Sequence, residues 1–488
     1  MNKTIHKYFN PYLDLRALGI FRLFLGTLLI LDLLINKWPF LEAFYTDTGV
    51  LSQGILDTII SSDPSREMYR WGLLQFFDSV NAVSFFFILT LASYILMTIG
   101  FRSKIFTILS FIALWSIHQR NGLILSGPDE IMINLLFIAM FLPLDQRFSF
   151  FRVGNQIVNN QHKSFATFYF LFFIGMVYFY QAFLKTGNLW INGDALSYAL
   201  MEKIWTKPLA TSLLEYPELC HFLSSFTLLI EYSIICLLFF PLLNKWTRLL
   251  SVILLLGVHW TIFLFLDLGL FPIIVPTFAV LLIPSFVWDY LGRKLNNWKS
   301  KRKSIEQSEL LVGLQKKLKP LSIVLLGIVF VLVVWRSALS SESFITYLPQ
   351  PTFVKKLNHT SLFFQYWGFY SPNPSITHGW FKVVGVRSNG QEIDLRTGKK
   401  ITMNDTNLQS YRNYSWLVFY YKTILYNYIS SRELLNKWSD YEYQKYIRSY
   451  SYGEIAQVRI IAFTETILAP GKSTPTGNFI FSYAPMSK

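Results

Sequence analysis

Three ionisable residues sit where an apolar chain has little room for them. Lys185 closes the run Tyr178-Phe179-Tyr180-Gln181-Ala182-Phe183-Leu184-Lys185 and is followed by Thr186-Gly187-Asn188-Leu189-Trp190. Glu231 lies in Leu229-Ile230-Glu231-Tyr232 and His259 in Gly257-Val258-His259-Trp260, both inside long apolar stretches. An ionisable group in such a stretch is costly and is a functional hypothesis by default. Withdrawing an ammonium from water favours its neutral amine, so Lys185 is a candidate base. The alternative is a lysine whose stem lies among apolar groups while its ammonium reaches the membrane interface. Glu231 must be paired or protonated, with Lys185 or His259 as its partner. His259 is either functional or a histidine hydrogen-bonded between helices. Asp32, near the end of the first apolar run, reads as interfacial. Arg120-Asn121-Gly122 and Gly127-Pro128-Asp129-Glu130 link two short apolar runs. They form either a plain turn or, because most of these polar groups fall at one membrane face, the rim of an outward-facing pocket. The sequence has no Gly-rich phosphate loop, no His-Glu-x-x-His, no Cys-x-x-Cys and no Gly-x-Ser-x-Gly, so soluble catalytic signatures are missing and no metal is expected.

The elements that must position these residues are membrane helices. Of 488 residues only 15% are charged, while 52% are apolar and 18% aromatic. A soluble core of that length could not cover so much apolar surface, and a bilayer removes the need. Runs long enough to cross about 30 Å of hydrocarbon lie at 17–35, 80–100, 165–182, 222–243, 249–266 and 321–335. The run 269–287 carries Pro272, Pro276 and Pro284 and should be kinked. The runs 105–117 and 131–142 are short, and are either full crossings or a re-entrant hairpin. Together these give an α-helical polytopic membrane protein of about eight or nine spans over residues 1–340. The first run lacks a small-residue cleavage site and reads as an anchor. Cys220 and Cys236, roughly 24 Å apart if they share one helix, are too distant to bridge.

Net charge is +15, but the positives gather in short loops, above all Arg293, Lys294, Lys299, Lys301, Arg302 and Lys303, then Lys316, Lys317 and Lys319. That is the distribution of loops lying on anionic lipid, and it argues against nucleic acid as a partner. With nine spans, the loops on the side of the N-terminus hold nineteen Lys and Arg and the opposite loops seven. The N-terminus is therefore expected in the cytoplasm and the C-terminus outside the cell membrane. From about residue 340 the apolar runs stop. Trp380-Phe381-Lys382-Val383-Val384-Gly385-Val386, the turn Ser388-Asn389-Gly390 and Glu392-Ile393-Asp394-Leu395 predict a β-hairpin. Residues 416–447 read as helical, and 457–464 and 478–483 as strands. A small, β-rich α+β extracytoplasmic domain over 341–488 follows.

These motifs, in this order, resemble the vitamin K-dependent γ-carboxylases and their bacterial relatives, the HTTM (horizontally transferred transmembrane) domain proteins. Asp14-Leu15-Arg16-Ala17-Leu18-Gly19-Ile20-Phe21-Arg22 with Tyr45-Thr46-Asp47-Thr48-Gly49-Val50-Leu51 looks like the HTTM opening. Arg120-Asn121-Gly122 through Asp129, then Leu142-Pro143-Leu144 to Phe148-Ser149, is similar to the family's third and fourth spans. His259 with Gly269-Leu270-Phe271-Pro272, and Tyr366-Trp367-Gly368-Phe369-Tyr370-Ser371-Pro372-Asn373-Pro374, resemble further family elements. Tyr178-Phe179 through Lys185 to Trp190-Ile191-Asn192-Gly193 resembles the segment holding the lysine that deprotonates vitamin K hydroquinone. The resemblance thus implies Lys185 as a base acting on reduced vitamin K or another quinol. It also implies oxygenation of that quinol by O2 to an epoxide, and removal of a glutamate γ-proton before CO2 adds. Asn121 matches an asparagine of the carboxylases' Asn-Asn-His segment; Gly122 stands where the histidine would be, and His118 lies upstream. The outer domain is also shorter than in the animal enzymes.

Two functions are expected from this. One is a carboxylase-like membrane enzyme with Lys185 as base and Asn121, Glu231 and His259 in support. The other is a non-catalytic HTTM membrane component that helps a secreted peptide mature or leave the cell. A transporter is not favoured, because no inverted repeat is present.

Overall fold

Where no water can satisfy an open backbone group, a long apolar run has to close its hydrogen bonds on itself as a helix. The computed structural model describes residues 12–62, 70–152, 159–202, 204–294, 303–304, 309–339, 351–360, 362–401, 413–425, 432–450, 455–470 and 472–485. Lys299, Lys301 and Arg302, the boundary near 340, and Lys3, Lys7, Arg66 and Lys203 lie outside the described residues.

Six described helices are long and apolar enough to cross a membrane, Leu15–Tyr45, Val80–Ile99, Phe165–Phe183, Pro217–Phe239, Asn244–Phe265 and Lys317–Ala338. A seventh is obtained if Phe271–Leu282 and Ser285–Arg293, which meet at 88°, are one span. Pro284 sits in that break, where the expected kink falls. The chain is thus a multi-pass helical protein with a small sheet region at its C-terminal end. The main helices are α1 (Leu15–Leu31), α2 (Val80–Ile99), α3 (Ser103–Arg120), α4 (Gly127–Ala139), α5 (Phe165–Phe183), α6 (Pro217–Phe239), α7 (Asn244–Phe265), α8 (Phe271–Ala279), α9 (Ser285–Lys294) and α10 (Glu309–Ala338). Helix α1 does not stop at Leu31. It runs on through a π-helical turn, Asp32–Lys37, into short helical turns ending at Tyr45. Cys220 and Cys236 both lie on α6 and are free.

Two sets of loops mark the ends of the bundle. At the N-terminal end the buried Arg22 guanidinium donates to the carbonyls of Thr98 (3.1 Å), Leu144 (2.7 Å) and Phe148 (2.6 Å), tying α1 to the ends of α2 and α4. Arg248 likewise donates to Tyr12 and Leu281 carbonyls at 2.9 and 3.2 Å. At the opposite end Arg120 holds Leu51 O and Asp47, both at 2.9 Å. Helix α3 therefore starts near Gly100 and Ser149 and finishes at the Arg120 end, while α4 starts at that end and returns toward Leu144. The pair runs through the bundle and back, with the 13 residues of α4 rising only about 20 Å. Helix α4 can start where it does because Ser126 and Asp129 form a capping box and Pro128 occupies its first turn.

The C-terminal region is a four-stranded antiparallel sheet, β1 (Thr377–Arg387), β2 (Glu392–Asp394), β3 (Ile455–Ala469) and β4 (Lys472–Tyr483), in the order β2-β1-β3-β4. The expected hairpin is β1–β2, with Gly390 at φ +81° in its turn, a backbone conformation that glycine adopts without steric penalty. Helices α11 (Tyr414–Tyr420) and α12 (Arg432–Tyr450) cover one face, and residues 426–431 between them lie outside the described residues. Phe381 meets Tyr420 at 4.8 Å and Trp438 at 5.2 Å. This domain docks on the Arg120 end of the bundle. Phe44 packs on Trp416 at 4.6 Å, and Lys422 Nζ donates to the carbonyls of Gly122 (3.0 Å) and Leu125 (2.7 Å).

Candidate functional site

Helix α5 begins at Ser164, whose hydroxyl accepts the Thr167 N–H at 3.2 Å, and it carries Tyr178, Gln181 and Lys185 toward the docked domain. Tyr178 and Gln181 are i and i+3 on that helix and share one face. Lys185 lies just past the helix, its N–H closed on Ala182 O at 3.1 Å. Its Nζ donates to both carboxylate oxygens of Glu231, at 2.5 and 2.7 Å, across the contact between α5 and α6. Both side chains are buried, at 5% and 7% exposure. Of the two partners open to Glu231 from sequence, the structure places Lys185 there. It also corrects the snorkelling alternative, since the Lys185 ammonium is turned into the protein and satisfied by a carboxylate.

Trp190 roofs the pair, its ring centroid 4.5 Å from Lys185 Nζ, a cation–π contact. The loop that presents Trp190 is clasped by the segment leading into the C-terminal domain. Gly187 N donates to Pro372 O at 2.9 Å, Leu189 N to Asn373 Oδ1 at 3.0 Å, and Trp190 Nε1 to Tyr370 O at 2.8 Å. Gly187 is needed for that fit, because a Cβ there would lie 2.2 Å from the Asn373 side chain.

His259, on α7, is buried and does not reach Glu231. Its Nε2 lies 2.9 Å from the Tyr178 hydroxyl, while Nδ1 has no partner among the described residues. Phe271 stands beside it at 5.1 Å and packs in turn on Phe369 at 5.4 Å. A cavity of about 10 Å³, lined by Ile131, Tyr178, Gln181 and Phe271 among others, adjoins this pair. A second, of about 20 Å³, lies between α1, α4 and α11. Leu270 and Met132 line the second cavity, while their chain neighbours Phe271 and Ile131 line the first. Each cavity has room for about one water molecule.

Asn121 is placed apart from the Lys185 pair. Its Nδ2 donates to Phe44 O at 3.1 Å and its Oδ1 accepts Leu123 N–H at 3.0 Å, closing a short helical turn at Gly122–Ile124. Asp32, whose place in the sequence suggested the membrane interface, has its side chain turned into the protein. It is 4% exposed and paired with Lys37, five residues on. The π-helical turn makes that pairing, because i and i+5 do not face each other on an α-helix. His118 is buried, with Nε2 3.6 Å from Asp129 Oδ1. Sequence reasoning missed Tyr178, Gln181, Lys37 and Lys422. Their place in the run that leads into Lys185 was a signal for the first two; spacing offered none for the others. Among the described residues no group of three or more His, Cys, Asp or Glu is placed to hold a metal ion.

The chain matches no protein-family model, and no curated protein and no solved structure was found to be similar to it.

Proposed function

We propose that this chain is a membrane enzyme of the γ-carboxylase-like, HTTM type, in which Lys185 takes a proton from a quinol. The observation that carries this reading is the buried Lys185–Glu231 pair under Trp190, just beyond the helix that carries Gln181 and Tyr178. An ammonium is not itself a base. When an apolar substrate displaces the last water, the charge-separated pair loses solvation, and the proton passes from Lys185 Nζ to Glu231, leaving amine and carboxylic acid. The amine then accepts the quinol hydroxyl proton, giving a quinolate beside a restored ammonium. What the resemblance adds is reduced vitamin K or another quinol as cofactor, O2 and CO2 as co-reactants, no metal, and a secreted peptide or protein as acceptor. Eight or nine spans, a cytoplasmic N-terminus and an extracytoplasmic C-terminal domain in the cell (inner) membrane belong to the same proposal. It is supported by the excess of Lys and Arg in loops on the N-terminal side.

A second reading is favoured by two specific observations. The cavity beside Tyr178 and Gln181 holds about 10 Å³, too little for a quinol ring without rearrangement, and Asn121 is committed to Phe44 and Leu123. On that reading the chain is a non-catalytic HTTM component that assists maturation or export of a secreted peptide. The deciding experiment supplies reduced vitamin K and O2 to the detergent-purified protein and compares wild type with Lys185→Ala. Epoxide formed by wild type and lost in the variant supports proton abstraction by Lys185. No epoxide from folded wild type overturns it in favour of the second reading.

A further inference from the structure

Away from Lys185, a second polar cluster is buried between α1, α4 and the C-terminal domain. Asp32, Lys37 and Asp129 are 4%, 5% and 8% exposed. The one Lys37 ammonium pairs with Asp32 and lies 3.4 Å from Asp129 Oδ1. Asn36 Nδ2 donates to Asp32 Oδ1 at 3.2 Å, and Asp129 Oδ2 accepts from the Ser126 N–H and hydroxyl at 2.9 and 3.0 Å. Two carboxylates thus share one lysine, and the other cation-forming group, His118 with Nε2 3.6 Å from Asp129 Oδ1, is charged only when protonated. The amino end of α4 offsets part of the remaining charge, but a buried anion short of a full counter-charge is costly.

The cavity of about 20 Å³ opens directly on these groups. It is also lined by two buried hydroxyls, those of Tyr45 (1% exposed) and Ser415 (8%). Neither has a hydrogen-bond partner among the described residues. Tyr45 comes from the turns that follow α1 and Ser415 from α11 of the C-terminal domain. Unspent hydroxyls pointing into a water-sized space beside under-compensated carboxylates call for an occupant that is small, positively charged and oxygen-seeking.

We propose that this cavity binds one monovalent inorganic cation, sodium or potassium, held by Asp32, Asp129 and the hydroxyls of Tyr45 and Ser415. Carboxylate and hydroxyl oxygens suit hard cations rather than soft ones. A single positive charge matches the missing compensation, and the volume fits one ion of water size. Because its ligands come from both halves of the chain, the ion fastens the C-terminal domain to the bundle. This proposal does not depend on the chemistry assigned to Lys185.

The test is thermal unfolding of the full chain in detergent, in sodium or potassium chloride against choline chloride at equal ionic strength, since a ligand bound only by the folded state stabilises it by mass action. The expected result is a saturable rise in unfolding temperature with sodium or potassium that choline does not produce and that Asp129→Asn abolishes. Tyr45→Phe and Ser415→Ala, which keep the carboxylates and remove one hydroxyl each, should raise the half-saturating ion concentration by about three-fold or more, the size of one hydrogen bond. These two variants carry the test if Asp129→Asn does not fold. No difference between choline and either ion overturns the proposal and leaves a proton as the compensating charge. An unchanged half-saturating concentration in both hydroxyl variants overturns the assigned ligands.

Discussion

Replacing Glu231 with Gln removes one charge from the Lys185 pair and keeps its shape. The ammonium loses a carboxylate held at 2.5 and 2.7 Å in a site where both side chains are under a tenth exposed. Breaking a buried pair from one side costs about 3–5 kcal/mol, because the surviving charge stays buried. Trp190, 4.5 Å from Nζ, still faces the ammonium in Glu231→Gln, and a desolvated cation–π contact contributes about 2 kcal/mol. The loss in that variant should therefore fall at the lower end of the range, and Lys185→Met, which also gives up the Trp190 contact, should lose more. Replacing both partners by apolar groups of similar volume is neutral or stabilising by about 1–4 kcal/mol. Lys185→Met/Glu231→Leu should thus be at least as stable as either single variant. Thermal unfolding followed by tryptophan fluorescence in one detergent measures all four proteins. Losses that simply add, with the double variant the least stable, would refute a buried, mutually compensated pair.

Two further predictions concern pH. Burial pulls Lys422 down to about 8, against 10.5 in an unfolded chain. The folded state disfavours its ammonium, so the stability tied to this group is full above pH 10.5 and is lost as pH falls through 8; Lys422→Met should flatten the melting profile across that window. Burial pushes the Glu202 carboxyl up to about 8 from 4.5. Its stabilising share is present below pH 4.5 and disappears as pH rises through 8, and Glu202→Gln should remove that decline. Gly187→Ala should force a Cβ to within 2.2 Å of Asn373, costing about 1–3 kcal/mol by overpacking. Limited proteolysis of the loop around Trp190 should then quicken, and unchanged cleavage would mean the clasp is not tight.

Much of this architecture is legible without coordinates, because it rests on local rules. A bilayer-length apolar run must be a helix whatever its neighbours are, so 80–100 and 165–182 correspond closely to Val80–Ile99 and Phe165–Phe183. A proline-rich run must bend, and an Asn-Gly between alternating residues turns a hairpin. The sequence also shows that Lys185, Glu231 and His259 are out of place among apolar neighbours, and therefore in need of partners. Which partners they find depends on how far each helix is rotated and how deep it sits, and a single sequence does not encode that. Glu231 meets Lys185 because α6 packs along α5, while His259 on α7 meets Tyr178 instead. Asp32 turns inward only because the end of α1 widens into a π-helical turn that brings Lys37 onto it. Asn121 is spent on a turn beneath Phe44, and the docking of Lys422 and Ser415 joins groups about 300 and 370 residues apart in the chain. Local periodicity determines the elements; the burial of each charge, and the charge or hydroxyl set against it, is decided only when the helices pack and the C-terminal domain closes over them.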